Sequence, residues 1–181
     1  NSVQQIRISA ISDLIETRPR LASDPKWIRE ATASPDLKRM AFNYRGEIVT
    51  VPAEKGDARQ LTRSTGANDH SPAWSGNGKQ IAWFSDESGE YELLLADQDG
   101  KGKPRHYRLA GAGFYDRPVF SPDGARIAYR DNSQSLWVIE LASGKNIKIA
   151  SEPAYSPFHL MRASWSPDSR WLTYTVQAAG L

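Results

Sequence analysis

One pattern constrains this chain more than any other: four of its segments repeat. They read ATASPDLKRMAF (31–42), PAWSGNGKQIAW (72–83), PVFSPDGARIAY (118–129) and ASWSPDSRWLTY (163–174). The serines Ser34, Ser75, Ser121 and Ser166 stand 41, 46 and 45 residues apart. Phe42, Trp83, Tyr129 and Tyr174 keep the same intervals, and so do the small residues before them: Ala41, Ala82, Ala128 and Thr173. Trp74, Phe120 and Trp165 form a third column, with Ala33 in that place in the first unit. A fixed period of this size marks stacked copies of one supersecondary unit, each covering the apolar face of the next.

Each unit reads as β. A short apolar strand ends at the serine, a turn follows, and a second strand of the type RIAYR comes next. The turn is built on Pro-Asp-Gly or a relative. Pro presets φ, Asp bonds its own backbone, and Gly supplies a positive φ. Leu37 and Ser169 replace the Gly in two units, and Gly76-Asn77 replaces Pro-Asp in another. A hairpin leads to a third strand (EIVTV, 47–51; ELLLA, 92–96; LWVIEL, 136–141) and a turn to a weaker fourth (ARQLT, 58–62; RHYRL, 105–109; IKIA, 147–150). The consecutive apolar residues of the third strands predict sheets buried on both faces.

Four strands at this period predict an all-β fold, a β-propeller of about three and a half four-stranded blades, as a fragment of a larger ring. The blades fall at about 29–62, 71–109, 116–150 and 162–181, the last truncated. Residues 1–28 read as the outer strand of a preceding blade (VQQIRIS, 3–9) plus a connector, with room for a short helical turn at 10–17. Leu172, Tyr174 and Val176 fall on an edge strand without a third strand to cover it. An isolated chain is therefore expected to self-associate or to close with its own strand 3–9.

Composition narrows the chemistry. The 181 residues hold 23 Lys plus Arg against 21 Asp plus Glu, a net charge of +2, which makes no electrostatic case for a nucleic-acid or membrane partner. There is no cysteine, which removes disulfides, thiolate catalysis and Cys-based metal sites.

Beyond the blade motif, the run RMAFNYRGEIVTVPAEKGDARQLT (39–62), then SPAWSGNGKQIAWFSDESGEYELLLADQDG (71–100) and SWSPDSRWLTYT (164–175), resembles the propellers of the tricorn protease family. The blade motif is shared with TolB-type propellers. The resemblance implies a parent serine peptidase that degrades oligopeptides, within which this segment admits substrate or serves as a scaffold. The rest of the parent chain and peptides are the implied partners. The catalytic serine and its partners would lie outside this chain, so no catalytic residue is assigned. The implied compartment is cytoplasmic, with periplasmic as the alternative. A TolB-type interaction propeller without enzymatic activity is the other reading.

Several residue groups invite chemistry and favour a structural reading. Asn68-Asp69-His70-Ser71 holds an acid, a base and a hydroxyl, but neighbours on an extended strand point to opposite faces. His106 and His159 fall in different units with no metal-ligand spacing. Asp97-Gln98-Asp99-Gly100-Lys101-Gly102 resembles the start of a calcium loop but carries Lys101 at the fifth position. Ser143-Gly144-Lys145 lacks the earlier glycine and the helix of a phosphate loop. Asp36, Asp123 and Asp168 occupy equivalent turns of different units. No metal and no cofactor is expected. The remaining candidates are peptide-contacting residues on the connections 63–71, 110–117 and 151–161: Arg63, His70, Tyr115, Arg117, Tyr155 and His159.

Overall fold

The computed structural model describes residues 25–111, 113–152 and 161–176. Tyr155, His159 and the expected strand and helical turn before residue 25 lie outside the described residues.

The repeat begins with one hydrogen-bonded device. The serine hydroxyl donates to the side-chain oxygen two residues on: Ser34 to Asp36 (2.7 Å), Ser75 to Asn77 (2.8 Å), Ser121 to Asp123 and Ser166 to Asp168 (2.5 Å each). The same Oγ accepts the backbone N–H five residues on, at 2.9–3.0 Å, from Arg39, Gln80, Arg126 and Trp171. The Asp or Asn oxygen then accepts the N–H two residues further, at 3.0–3.1 Å. The serine hydroxyl is the main reason the Asp36, Asp123 and Asp168 carboxyls sit below the usual carboxylate range. Asn77 shows that one neutral oxygen closes the same turn.

The next residue is left-handed in all four units: Leu37 (φ 58°), Gly78 (67°), Gly124 (71°) and Ser169 (60°). For a side chain this conformation costs about 1–2 kcal/mol. Leu37 is 71% exposed and recovers little by burial. Leu37→Gly is therefore expected to stabilise the protein by about 0.5–1 kcal/mol after the greater freedom of glycine in the unfolded chain is counted. A urea midpoint that falls on substitution would contradict this. Ser169 is different. Its Oγ accepts the N–H of Asp123 at 2.9 Å, and its carbonyl accepts Arg126 Nη2 at 2.9 Å, which ties the fourth unit to the third. The departure at Gly76 also has a cause. A Cβ there would lie 3.3 Å from the Pro122 carbonyl oxygen of the next unit.

Three four-stranded antiparallel sheets and one two-stranded sheet follow in chain order. The first holds β1 (Ile28–Ala33), β2 (Arg39–Tyr44), β3 (Glu47–Pro52) and β4 (Arg59–Gln60). The second holds β5 (His70–Trp74), β6 (Gln80–Ser85), β7 (Glu92–Asp97) and β8 (Arg105–Arg108). The third holds β9 (Tyr115–Phe120), β10 (Arg126–Asp131), β11 (Ser135–Glu140) and β12 (Asn146–Ser151). The last is the pair β13 (Ala163–Trp165) and β14 (Leu172–Tyr174). The first strands are neighbours across the sheets: β1 packs against β5, β5 against β9, and β9 against β13. They form the inner edge of the stack.

Packing follows from the alternation of side chains along each strand. In β6, Ile81 and Trp83 face the first sheet, with Ala41, Ile48 and Trp74. Ala82 and Phe84 face the third, with Tyr115, Phe120, Ile127, Tyr129 and Ile139. Ala128, Leu136 and Val138 meet Met161, Trp165 and Leu172 of the last unit. The middle sheets are thus buried on both faces, as predicted. The first sheet is not: β3 alternates, with Ile48 and Thr50 buried between half-buried neighbours, because its other face meets no sheet among the described residues. For the same reason Phe42 is half-buried and Tyr174 is 41% exposed, while their counterparts Trp83 and Tyr129 are enclosed. Two junctions carry an added bolt. Trp74 Nε1–H donates to the Thr32 carbonyl (3.3 Å), and Trp165 Nε1–H to the equivalent Val119 carbonyl (3.1 Å).

Candidate functional site

The inner strands share one irregularity. The ladders of β1, β5 and β9 each slip at a β-bulge, and each bulge holds a non-glycine residue with positive φ: Glu30 (49°), Ser71 (54°) and Arg117 (53°). These three occupy one column of the repeat, three residues before Ala33, Trp74 and Phe120. Such backbone costs of order 1–3 kcal/mol per residue, and bulges re-aim side chains. Here they turn the three toward a cleft of about 470 Å³, which Glu30, Ser71, Pro72, Asp116, Arg117 and Pro118 line.

The two ends of the cleft differ. At one end the Glu30 carboxylate crosses from the first sheet to the second. It accepts Ser71 N–H (2.5 Å) and Ser71 Oγ–H (3.0 Å). His70 Nδ1 lies 3.1 Å from the same Oγ. Because the hydroxyl donates to Glu30, its oxygen accepts from His70 Nδ1–H. This fixes the tautomer and leaves Nε2 bare, buried and without a partner among the described residues. His70 and Ser71 therefore touch, against the expectation that strand neighbours diverge: the positive φ at Ser71 breaks the alternation. The order acid–hydroxyl–imidazole is wrong for a catalytic triad, in which the imidazole accepts the hydroxyl proton.

At the other end Asp116 is gripped by Arg130, through Nε at 2.9 Å and Nη2. Arg117 is exposed. Its closest ionic contact is a long one, Nε to Asp116 Oδ2 at 3.9 Å, to a carboxylate that Arg130 already holds. Among the described residues the Arg117 guanidinium keeps donors free for a ligand carboxylate. Arg117 also borders a smaller cleft of about 160 Å³ toward the last unit, where Arg162, in the same repeat column, lies on the rim.

The sequence-predicted candidates part company. Arg117, expected on a connecting loop, is the third residue of β9 and lines the cleft. His70 and Tyr115, expected on connecting loops, are instead the first residues of β5 and β9. They are 5% and 4% exposed. His70 stacks on Phe114 (4.9 Å between ring centres, 10° between planes), and Tyr115 packs on Phe84 and Tyr129. Arg63 is exposed beside a separate depression that Asp69 and Glu87 also line. Sequence reasoning missed Glu30 and Asp116. The repeat column of Glu30, Ser71, Arg117 and Arg162 was available as a signal, but its residues share no chemistry. Among the described residues no group of three or more His, Asp or Glu is placed to hold a metal.

The chain is 33% identical over 139 residues to a Tol-Pal system protein TolB of Anaeromyxobacter dehalogenans, covering 70% of this chain and 30% of that protein. It is 22% identical over 174 residues to a tricorn protease homolog of Saccharolobus solfataricus, covering 96% of this chain and 15% of the homolog. The crystal structure of the tricorn protease superposes with a TM-score of 0.59 at 19% identity, over 81% of this chain and 15% of that one. These are β-propeller blades. Their likeness extends to both the tricorn and the TolB propellers, as the sequence runs implied. The chain spans less than a third of the length of either curated relative. No family model matches it. No helix among the described residues is long and apolar enough to cross a membrane.

Proposed function

We propose that this chain is a non-catalytic propeller segment of a tricorn-like serine peptidase that degrades oligopeptides, and that it acts in substrate access or as a scaffold. The inner-strand cleft carries the reading. Three consecutive blades hold strained, polar residues at one level of the inner edge, and the Arg117 guanidinium faces it with donors that no described residue occupies. Extended peptides offer carboxylates and backbone carbonyls to such a group. The similarity to the tricorn homolog across nearly the whole chain supports the assignment. On this reading the parent works in the cytoplasm and its catalytic residues lie elsewhere in the chain.

Arg117→Ala in the intact protein is expected to raise KM for acidic or free-carboxylate oligopeptides about three- to tenfold, an effect of about 1 kcal/mol. A small chromogenic substrate that does not traverse the propeller should turn over unchanged. Equal loss on both substrates, or on neither, would sink the access role. The higher identity to TolB favours a second reading, a partner-binding propeller without enzymatic activity in the periplasm. An intact protein that hydrolyses no peptide and retains a protein partner through Arg117 would establish that reading instead.

A further inference from the structure

The groove between the second and third sheets has its own chemistry. It measures about 470 Å³ and lies where the β6–β7 hairpin faces the connection into β9. Three polar groups on its lining have no side-chain partner among the described residues, two of them, Glu90 and Arg108, on exposed residues and so accessible to a ligand. The Glu90 carboxylate has no ion pair or hydrogen bond, and neither does the Arg108 guanidinium. The Tyr115 hydroxyl has no partner either, although the residue is 4% exposed. The second carboxylate, Glu92, is engaged by His106 Nδ1 at 3.0 Å.

The walls are set. The Tyr91 ring is pinned edge-on by His70 and Phe114, with centres 5.1 and 5.4 Å away, and its hydroxyl accepts Asn68 Nδ2–H at 2.8 Å. Gly111 is obligatory, since a Cβ there would come within 2.4 Å of Asp131 Oδ2 and 2.9 Å of Trp137 Nε1. At Gly113 a Cβ would meet nothing within 4 Å, which leaves the groove open at that point. The Glu90 charge is felt at Tyr115, whose hydroxyl is pushed up in pKa by burial first, then by Asp131 and Glu90. The hydroxyl thus keeps its proton and remains both donor and acceptor.

A simple cation in this groove would meet Arg108, and a simple anion would meet Glu90 and Glu92. A ligand with both signs meets neither penalty. We propose that the groove binds a zwitterion of amino-acid or dipeptide size. Its ammonium sits on the Glu90 carboxylate and the Tyr115 hydroxyl, its carboxylate sits on Arg108, and its apolar side chain lies on the Tyr91 ring. This site is separate from the inner-strand cleft and does not depend on the peptidase reading.

Calorimetric titration of the intact protein with leucyl-leucine, its N-acetyl form and its C-terminal amide tests the assignment. Leucyl-leucine should saturate one site, and each capped form should bind about tenfold or more weakly, the loss of one charged hydrogen-bonded contact. Glu90→Gln should erase the discrimination against the acetylated form alone, and Arg108→Gln that against the amide alone. Tyr115→Phe, which preserves the ring packing, should weaken leucyl-leucine several-fold with little change in melting temperature. Capped forms that bind as tightly as the free dipeptide would overturn the proposal, and so would discrimination that survives both charge variants.

Discussion

Replacing Trp83 by alanine is expected to lower the unfolding free energy by about 3–5 kcal/mol, the usual cost of deleting a large buried aromatic side chain. Trp83 is 1% exposed and joins Ala41, Ile48, Trp74, Ile81 and Leu94 across the junction of the first two blades. The junction cannot collapse onto the vacated space without sliding two sheets, so little of the cavity would close. Trp83→Phe should be far milder, about 1.5 kcal/mol or less. Its indole Nε1–H is buried without a partner among the described residues, so phenylalanine discards a group that makes no hydrogen bond there. Guanidinium unfolding followed by far-UV circular dichroism measures both. Equal losses for the two variants would show that the N–H, not the ring volume, matters.

The second large effect is a loss of stability on mild acidification. Burial holds the His70 pKa below its ordinary 6.5, against the opposing pull of Glu30, Asp116, Asp86 and Asp69. The unfolded chain therefore takes up this proton before the folded chain does. The resulting stability is fully present above the unfolded value. It declines as pH falls below about 6.5, by at most roughly 1.4 kcal/mol per pH unit for one proton, until the folded imidazole also protonates. Geometry gives the reason: the Nδ1–H bond to Ser71 fills one side of the ring, and a proton on Nε2 would be buried without an acceptor. His70→Asn keeps a donor toward Ser71 and cannot titrate, so its melting temperature should be flatter with pH over this window. Ser71→Ala should cost about 1–3 kcal/mol at neutral pH, because it strands the imidazole N–H and removes one of the two bonds to Glu30. A His70→Asn variant with the parent's pH slope would place the titrating group elsewhere.

Much of the architecture was legible because it rests on local rules repeated four times. Ser-x-Asp closes its turn with bonds two and five residues away, and RIAYR-type runs alternate between two sheet faces. The same locality explains why Leu37 and Ser169 could be read as occupants of a glycine position. The inner-strand cleft was not legible in this way. Arg117, His70 and Tyr115 were all expected on loops and are all strand residues; Arg117 borders the cleft, while His70 and Tyr115 lie under aromatic cover. The difference is the bulge, which arises from ladder slippage against the second strand and is not encoded by any residue type common to Glu30, Ser71 and Arg117.

The sequence by itself determined the repeat, the strand order, the turn chemistry and the columns that pack between blades, since each depends on contacts a few residues apart or on a fixed period. Only the tertiary structure decided which polar residues meet. Glu30 and Ser71 are 41 residues apart in the chain and come within 2.5 Å because adjacent blades place equivalent bulges side by side. Glu90 and Arg108 are brought near each other within one sheet, where β7 pairs with β8 and sets Glu92 opposite Arg108, while the stacking of the third sheet on the second brings Tyr115 to the same groove.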